Sequence, residues 1–375
     1  MAGIYVHIPF CRKACHYCNF HFSTTHSLLP QMVNCILEEI RLRKEYLSYP
    51  VSTIYFGGGT PSICNNEQLN SLINELKKTF TLANNVEITL EANPDDITKE
   101  KLLHWKSIGI NRLSIGVQSF REEDLLWMNR AHNSEQATSA IHLAKENGFD
   151  NISIDLIYGT PTLSDEQWQQ NVRTAIDLQV PHLSCYALTV EPKTALDKLI
   201  EKKKILPIDP EKQARHFELL MDWMEKSGYE HYEISNFAKP RMLSKHNSSY
   251  WQGKHYIGLG PAAHSFNGYS RQWNIANNAL YINNITSGNV PFEIEYLTPM
   301  QALNEYIMTS LRTNSGLSFE NVKNHWGEEK ALEIAKNAAV YIDQENAVIS
   351  NNNLQLTKKG KLLADGIDAD LFFTT

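Results

Sequence analysis

Three cysteines stand within eight positions near the start of the chain, Cys11, Cys15 and Cys18 in the stretch CRKACHYCNF. Thiolates that close together bind metals or exchange disulfides. A structural zinc site takes four N/S ligands from paired knuckles. His7, His16 and His21 lie nearby, but no second Cys/His pair at knuckle spacing follows. A redox pair could use Cys15 and Cys18, leaving Cys11 without a role. An iron–sulfur cluster draws its thiolates from a tight loop, and three of them leave one iron open to an outside ligand. An open coordination position marks a catalytic centre rather than a structural one. The other cysteines, Cys35, Cys64 and Cys185, are scattered through regular segments and read as small buried hydrophobes.

The position of the loop favours the cluster. It follows the strand-like run GIYVHIP (3–9), and further runs recur at 52–59, 86–94, 110–120, 151–159 and 182–190. Helical patterns fill the gaps. Leu69, Leu72, Ile73, Leu76 and Phe80 make one apolar stripe. Ser164 and Gln167 fit a capping box, and Asp209–Pro210 starts a helix that Gly228 ends. Repeating βα units predict an α/β fold with a parallel sheet, as a complete or partial barrel or an open doubly wound sheet. Barrel enzymes place chemistry at the C-terminal mouth, where this loop would lie. FGGGTP (56–61) ends the second run, and its glycines would bring backbone N–H and C=O groups close to a small polar ligand.

Residues 1–230 are read as this barrel. Residues 231–297, rich in Gly, Asn, Ser, aromatics and His, are read as loops and short strands against it. From 298 to 375, helices near 300–311, 318–326 and 328–342 and a hairpin at AVISNNNLQLT suggest a winged-helix-like module. Its 7 Lys/Arg against 10 Asp/Glu suit a phosphate backbone poorly, so a lid or interaction role is expected. The whole chain carries a net charge of −7, which argues against nucleic acid as a partner. It has neither a membrane-length apolar run nor a signal-like start, so a cytoplasmic location is expected.

CRKACHYC resembles the CxxxCxxC signature of radical SAM enzymes, and GGGTP their motif for the SAM amino group. With LEANP, LSIGVQSF and DLIYGTP in order, the resemblance extends over nearly the whole chain to the oxygen-independent coproporphyrinogen III oxidase-like (HemN-like) group. It implies a partial (β/α)6 barrel with a C-terminal helical domain. It also implies a 4Fe–4S cluster on Cys11, Cys15 and Cys18, whose fourth iron is chelated by S-adenosylmethionine. Reduction of such a cluster cleaves SAM to methionine and a 5′-deoxyadenosyl radical. By the same resemblance, Tyr5, Tyr17, Gly58, Gly59, Thr60, Glu91, Gln118, Arg130 and Asp155 match positions that contact SAM.

Two departures separate the chain from the oxidase. Phe20 stands where the oxidase motif continues to another cysteine, and the chain begins four residues before Tyr5, without the oxidase's N-terminal extension. Both features resemble the haem-chaperone branch of the group, as does HNSSYW (246–251), which fits that branch's HNxxYW motif. The resemblance implies haem as cargo, His246 as candidate iron ligand, and Tyr250 and Trp251 as flat surface for a porphyrin. His255 and His264 are rival ligands. The expected function is delivery of haem to apo-haemoproteins, with respiratory enzymes and transient membrane association as candidate partners. The alternative is oxidative decarboxylation of coproporphyrinogen III.

Overall fold

The computed structural model describes residues 1–374. Six strands, β1 (Ala2–Ile8), β2 (Val51–Gly58), β3 (Leu82–Ala92), β4 (Arg112–Gln118), β5 (Ile152–Tyr158) and β6 (His182–Ala187), lie side by side in sequence order. Each pairs in parallel with the next. A doubly wound sheet reverses its strand order partway, whereas this one never does. It therefore curls in one sense into the expected partial (β/α)6 barrel.

The helices between the strands form for readable reasons. In the helix Asn66–Thr79, Leu69, Leu72, Ile73 and Leu76 are all fully buried, and Asn65 with Gln68 makes a capping box. Each such leucine or isoleucine contributes about 1.5–3 kcal/mol of burial. Ser164 and Gln167 form the capping box expected at 164–167. Asp209 accepts from the backbone N–H groups of Glu211 and Lys212 at the start of the helix Pro210–Lys226. Cys35, Cys64 and Cys185 are buried in the core, as expected of small hydrophobes.

The segment 231–297 holds the loops and short strands expected, and its strands join the barrel's own sheet rather than only packing against it. It supplies six strands that extend the sheet at both edges. At one edge β7 (Glu230–Glu233) and β8 (Asn236–Ala238) follow β6 antiparallel. At the other, β9 (Tyr256–Leu259) pairs in parallel with β1, followed by β10 (His264–Phe266), β11 (Ser270–Asn274) and β12 (Phe292–Tyr296). Strands of three to five residues are too short to display a period in sequence. Gly258 permits the turn-back, since a Cβ there would lie 2.1 Å from the His264 carbonyl oxygen.

This added edge is fastened to the first helix, Leu29–Leu42, by buried charge. The Glu39 carboxylate accepts from Arg43 (3.2 Å), Asn274 (2.7 Å), the Gly260 N–H (2.7 Å) and the Tyr281 hydroxyl (2.5 Å). Arg43 also donates to the Gly258 carbonyl, Ser265 and Gln272. Every oxygen of the buried acid is thereby paired, which is the condition for tolerating it inside.

Beyond residue 298, the helices Pro299–Leu311, Phe319–Trp326 and Glu328–Asp343 surround a small sheet of β13 (Leu317–Ser318), β14 (Ala347–Ser350) and β15 (Asn353–Leu356). The order helix–strand–helix–helix–strand–strand is that of a winged helix. Its core, with Leu303, Ile307, Val322, Ile334 and Leu354 at its centre, is separate from that of the barrel. The two meet through backbone bonds at one end (Ile234 N–H to the Arg312 carbonyl, 3.0 Å; Asn314 N–H to the Tyr232 carbonyl, 3.0 Å) and the ion pair Arg271–Glu305 (2.9 Å). Among the described residues no helix is long and apolar enough to cross a membrane.

Candidate functional site

The cysteine loop leaves the C-terminal end of β1 and is held from several sides. The Cys11 N–H bonds to the Ser23 carbonyl (3.0 Å) and His26 donates to the Cys11 carbonyl (2.9 Å). Asn129 donates to the Ala14 carbonyl (2.7 Å), and the His16 side chain bonds to the Trp127 carbonyl (2.9 Å). All three cysteines are free and half-exposed at the rim of a cavity of about 620 Å³. Among the described residues no three Cys, His, Asp or Glu side chains converge on one point as a single metal ion requires.

The glycines serve the loop differently from expectation. Gly59 and Thr60 spend their N–H groups on the Ile8 carbonyl (2.9 Å) and the Phe10 carbonyl (2.7 Å), and the Thr60 carbonyl accepts from the Ile63 N–H (3.1 Å), so what this turn offers a ligand is carbonyl oxygen rather than N–H. A Cβ on Gly59 would sit 2.6 Å from the Phe10 carbonyl oxygen, so the residue lets β2 end directly beneath the cysteine loop. Gly58 has φ +104°, and a Cβ there would strike the His7 ring at 2.5 Å.

The cavity lies inside the barrel mouth and brings together Cys11, Cys15, Cys18, Tyr17, Gly58, Gly59, Thr60, Glu91, Gln118, Arg130 and Asp155. Thr60 donates to the Cys11 sulfur at 3.4 Å and Arg130 to the Cys15 sulfur at 3.2 Å. Arg130 also donates to Asn93 (2.9 Å) and the Gly116 carbonyl (2.6 Å), while its Nε has no partner among the described residues. At Gln118 the β4–β5 register slips and the backbone takes φ +67°, a left-handed conformation costly for a residue with a side chain. Burial pushes the Cys11 thiol up to about 11 and raises Cys18, so without a metal both stay protonated at neutral pH.

Two carboxyls face the same space. Burial raises Glu91 to about 7, although Tyr55 donates to it at 2.8 Å. Burial raises Asp155 to about 6. Acids whose ionisation is held back beside an open cavity suit a cationic ligand, since positive charge favours their ionised form. SAM is such a cation, and the residues present fit it. Were it to bind there it would lower both values and protons would leave: calorimetry in buffers of different ionisation enthalpy should read release of about one proton near pH 6.5 and none near pH 8.5. Proton-neutral binding near pH 6.5 would refute that assignment.

Tyr5 is the exception among the expected SAM residues. Its hydroxyl donates to His7 Nδ1 (3.2 Å), and its ring lines a second, larger cavity of about 890 Å³. That cavity runs between β9–β11, the helix Lys245–Trp251 and the C-terminal helices. Its walls include Tyr250, Trp251, Tyr256, Tyr306 and Trp326. Phe20 lines both cavities.

His246 is not the free loop residue expected. It sits in the helix Lys245–Trp251, 1% exposed, with Nδ1 bonded to Thr53 (2.8 Å) and Nε2 to the Tyr250 hydroxyl (2.8 Å). Its ring stacks on Tyr55 (5.0 Å between centroids), and burial lowers it to about 3, so it is neutral. Both nitrogens are engaged, and it lines neither cavity. Of the rivals, His255 packs edge-on against Tyr49 and lines neither cavity, whereas His264 lines the second.

Several lining residues escaped sequence reasoning, notably Tyr55, Arg112, Ser114, Ser153 and Ser184. A signal for them exists. In RLSIGVQ and ISIDLIY, polar or small residues alternate with apolar ones inside strands otherwise buried on both faces. The polar set points into the barrel.

Residues 5–175 match the family model of the radical SAM superfamily. The chain is 34% identical over 373 residues to the heme chaperone HemW of Bacillus subtilis strain 168, spanning 98% of each. It is 31% identical to the heme chaperone HemW of Mycobacterium tuberculosis strain H37Rv, over 97% of this chain and 93% of that one. Among solved structures, the radical SAM coproporphyrinogen III oxidase HemN from Escherichia coli is similar with a TM-score of 0.86 at 25% identity, covering 99% of this chain and 90% of that one.

Proposed function

Since the chain belongs to the HemW family of radical SAM proteins, we propose that it is a cytoplasmic haem carrier. In this reading it holds a 4Fe–4S cluster and SAM in the first cavity and haem in the second, and passes the haem to apo-haemoproteins, respiratory enzymes at the membrane among them. The observation that carries this reading is the second cavity. About 890 Å³ walled by aromatic rings and histidines is within the range that small-molecule and cofactor sites occupy, about 300–1,000 Å³.

Within the first cavity, Cys11, Cys15 and Cys18 would hold the cluster, which when bound supplies an electron able to cleave SAM. The carbonyls beside Gly58, Gly59 and Thr60 would receive the ligand's ammonium group. Glu91 and Asp155 would meet its positive charge or ribose hydroxyls. Arg130 suits its carboxylate, and Tyr17 and Gln118 would complete the walls.

The likeness to the oxidase gives a second reading, SAM-dependent decarboxylation of coproporphyrinogen III. One assay separates the two. Reconstituted without oxygen and reduced, the protein should not convert coproporphyrinogen III to protoporphyrinogen IX, yet should activate an apo-haemoprotein when loaded with haem. Sustained turnover of coproporphyrinogen, or failure to transfer haem, would end the carrier reading.

A further inference from the structure

We propose that Arg112 of β4 is a positioning residue of the first cavity: from the barrel floor it supplies the positive charge against which Glu91 and Asp155 face a cationic ligand, and so sets the pH range in which that ligand binds. This rests on the SAM-holding reading above. Barrel interiors are ordinarily filled by branched apolar side chains. Here the inward face of β4 begins with an arginine that is 1% exposed and lies on the cavity wall. Its Nε has no hydrogen-bond partner, and its guanidinium joins no ion pair, among the described residues. A buried cation left so bare is costly, and its retention calls for a use of its charge.

The strand register shows which groups use it. Arg112 stands opposite Thr89 of β3, while Ser114 stands opposite Glu91 on one side and Ser153 of β5 on the other. Side chains alternate across a strand, so Arg112 lies one inward step, about 6–7 Å, beneath the row of Glu91. Asp155 follows Ser153 by a further inward step and lines the same cavity. The arginine is therefore placed below both acids, out of contact, where a low-dielectric interior still carries its charge to them.

The other titratable groups around it are Glu87 of β3, Tyr55 of β2, His182 of β6, Tyr232 of β7 and His246 of the helix Lys245–Trp251. Burial keeps both histidines neutral and both phenols protonated. Of the other cations, Arg130 stands at the mouth and is engaged by Cys15, Asn93 and the Gly116 carbonyl, and Lys245 is exposed. Three carboxyls around one guanidinium make the floor hostile to an anion, so the bare N–H groups suit water. Burial raises Glu91 and Asp155, and the charge of Arg112 pulls each back toward its ionised form. Without the arginine both acids would ionise only at higher pH. Once ionised, they would meet a ligand cation with no like charge beneath it.

The affinity of the cluster-loaded protein for SAM, measured from pH 6 to pH 9, tests this, because comparing variants at each pH cancels the ligand's own titration. Wild type should bind saturably. Arg112→Gln should bind at least fivefold more weakly at pH 6.5 yet match or exceed wild type at pH 9. Its proton release on binding should persist at pH 8.5, where that of wild type has ended. Arg112→Lys, which keeps the charge, should follow wild type up to pH 7.5. Arg112→Met, which keeps the packing of the stem, is the second charge-free variant should circular dichroism show the glutamine protein unfolded. Equal weakening of the charge-free variant at every pH, as a merely structural role would give, or a profile unchanged from wild type, overturns the assignment while the SAM reading stands. Absence of saturable SAM binding to wild type overturns both.

Discussion

Changing Cys11, Cys15 or Cys18 singly to alanine should abolish the brown iron–sulfur absorbance expected of the anaerobically reconstituted protein, while Cys35→Ser should leave it intact. The difference follows from where the thiols stand. The first three rim a cavity that opens at the barrel mouth. Cys35 is 6% exposed on the inner face of the first helix, with its sulfur 3.9 Å from the Ile282 carbonyl. A serine there buries a hydroxyl with its acceptor out of reach, so the substitution costs about 1–3 kcal/mol of stability but removes no rim thiol. None of the three rim cysteines supports the core, so each alanine variant folds and the loss is of iron alone. Iron and sulfide analysis checks this. Full cluster content in any one of the three variants would remove that residue from the ligand set.

The second large effect is at Arg130. Its guanidinium joins the Cys15 sulfur, Asn93 and the Gly116 carbonyl, so it ties the cysteine loop to β3 and β4. Arg130→Ala leaves the half-buried Asn93 and Gly116 oxygens and the Cys15 sulfur without this donor, a loss of about 2–3 kcal/mol. It also removes the cation proposed to meet the SAM carboxylate, so SAM affinity should fall at least tenfold. Arg130→Lys should recover part of the stability but little of the affinity, because an ammonium cannot reproduce the planar fork. Equilibrium SAM binding and thermal melts of the three proteins decide the matter, and unchanged affinity in Arg130→Ala would exclude the residue from the SAM site.

The six parallel strands and their helices were legible because each is long enough to repeat its period and is bounded by caps and glycines. Short strands were expected in 231–297 but their place in the sheet was not legible, because it is set by partners far away in sequence: Tyr256–Leu259 by β1, and Asn274 by Glu39. The cysteine loop and the lining of the first cavity could be named from motifs. What motifs omit is direction. Gly59 and Thr60 turn their N–H groups to the cysteine loop rather than to a ligand, and Tyr5 faces the second cavity. His246 shows the limit most sharply. A histidine in HNSSYW reads as available, yet Thr53, from a strand almost two hundred residues earlier, takes one nitrogen and Tyr250 the other.

The Glu39 network gives the second cavity one wall that cannot yield. Arg43, Asn274 and Tyr281 clamp β9–β11 to the first helix through buried charge, so those strands move only if the barrel unfolds. The opposite wall is hung from backbone bonds near Arg312 and latched by the half-exposed pair Arg271–Glu305. The cavity thus has one wall held by buried charge and an opposite wall held by backbone bonds and surface ion pairs, Lys358 with Asp222 (2.8 Å) among them, so ionic strength should soften the second wall before the first.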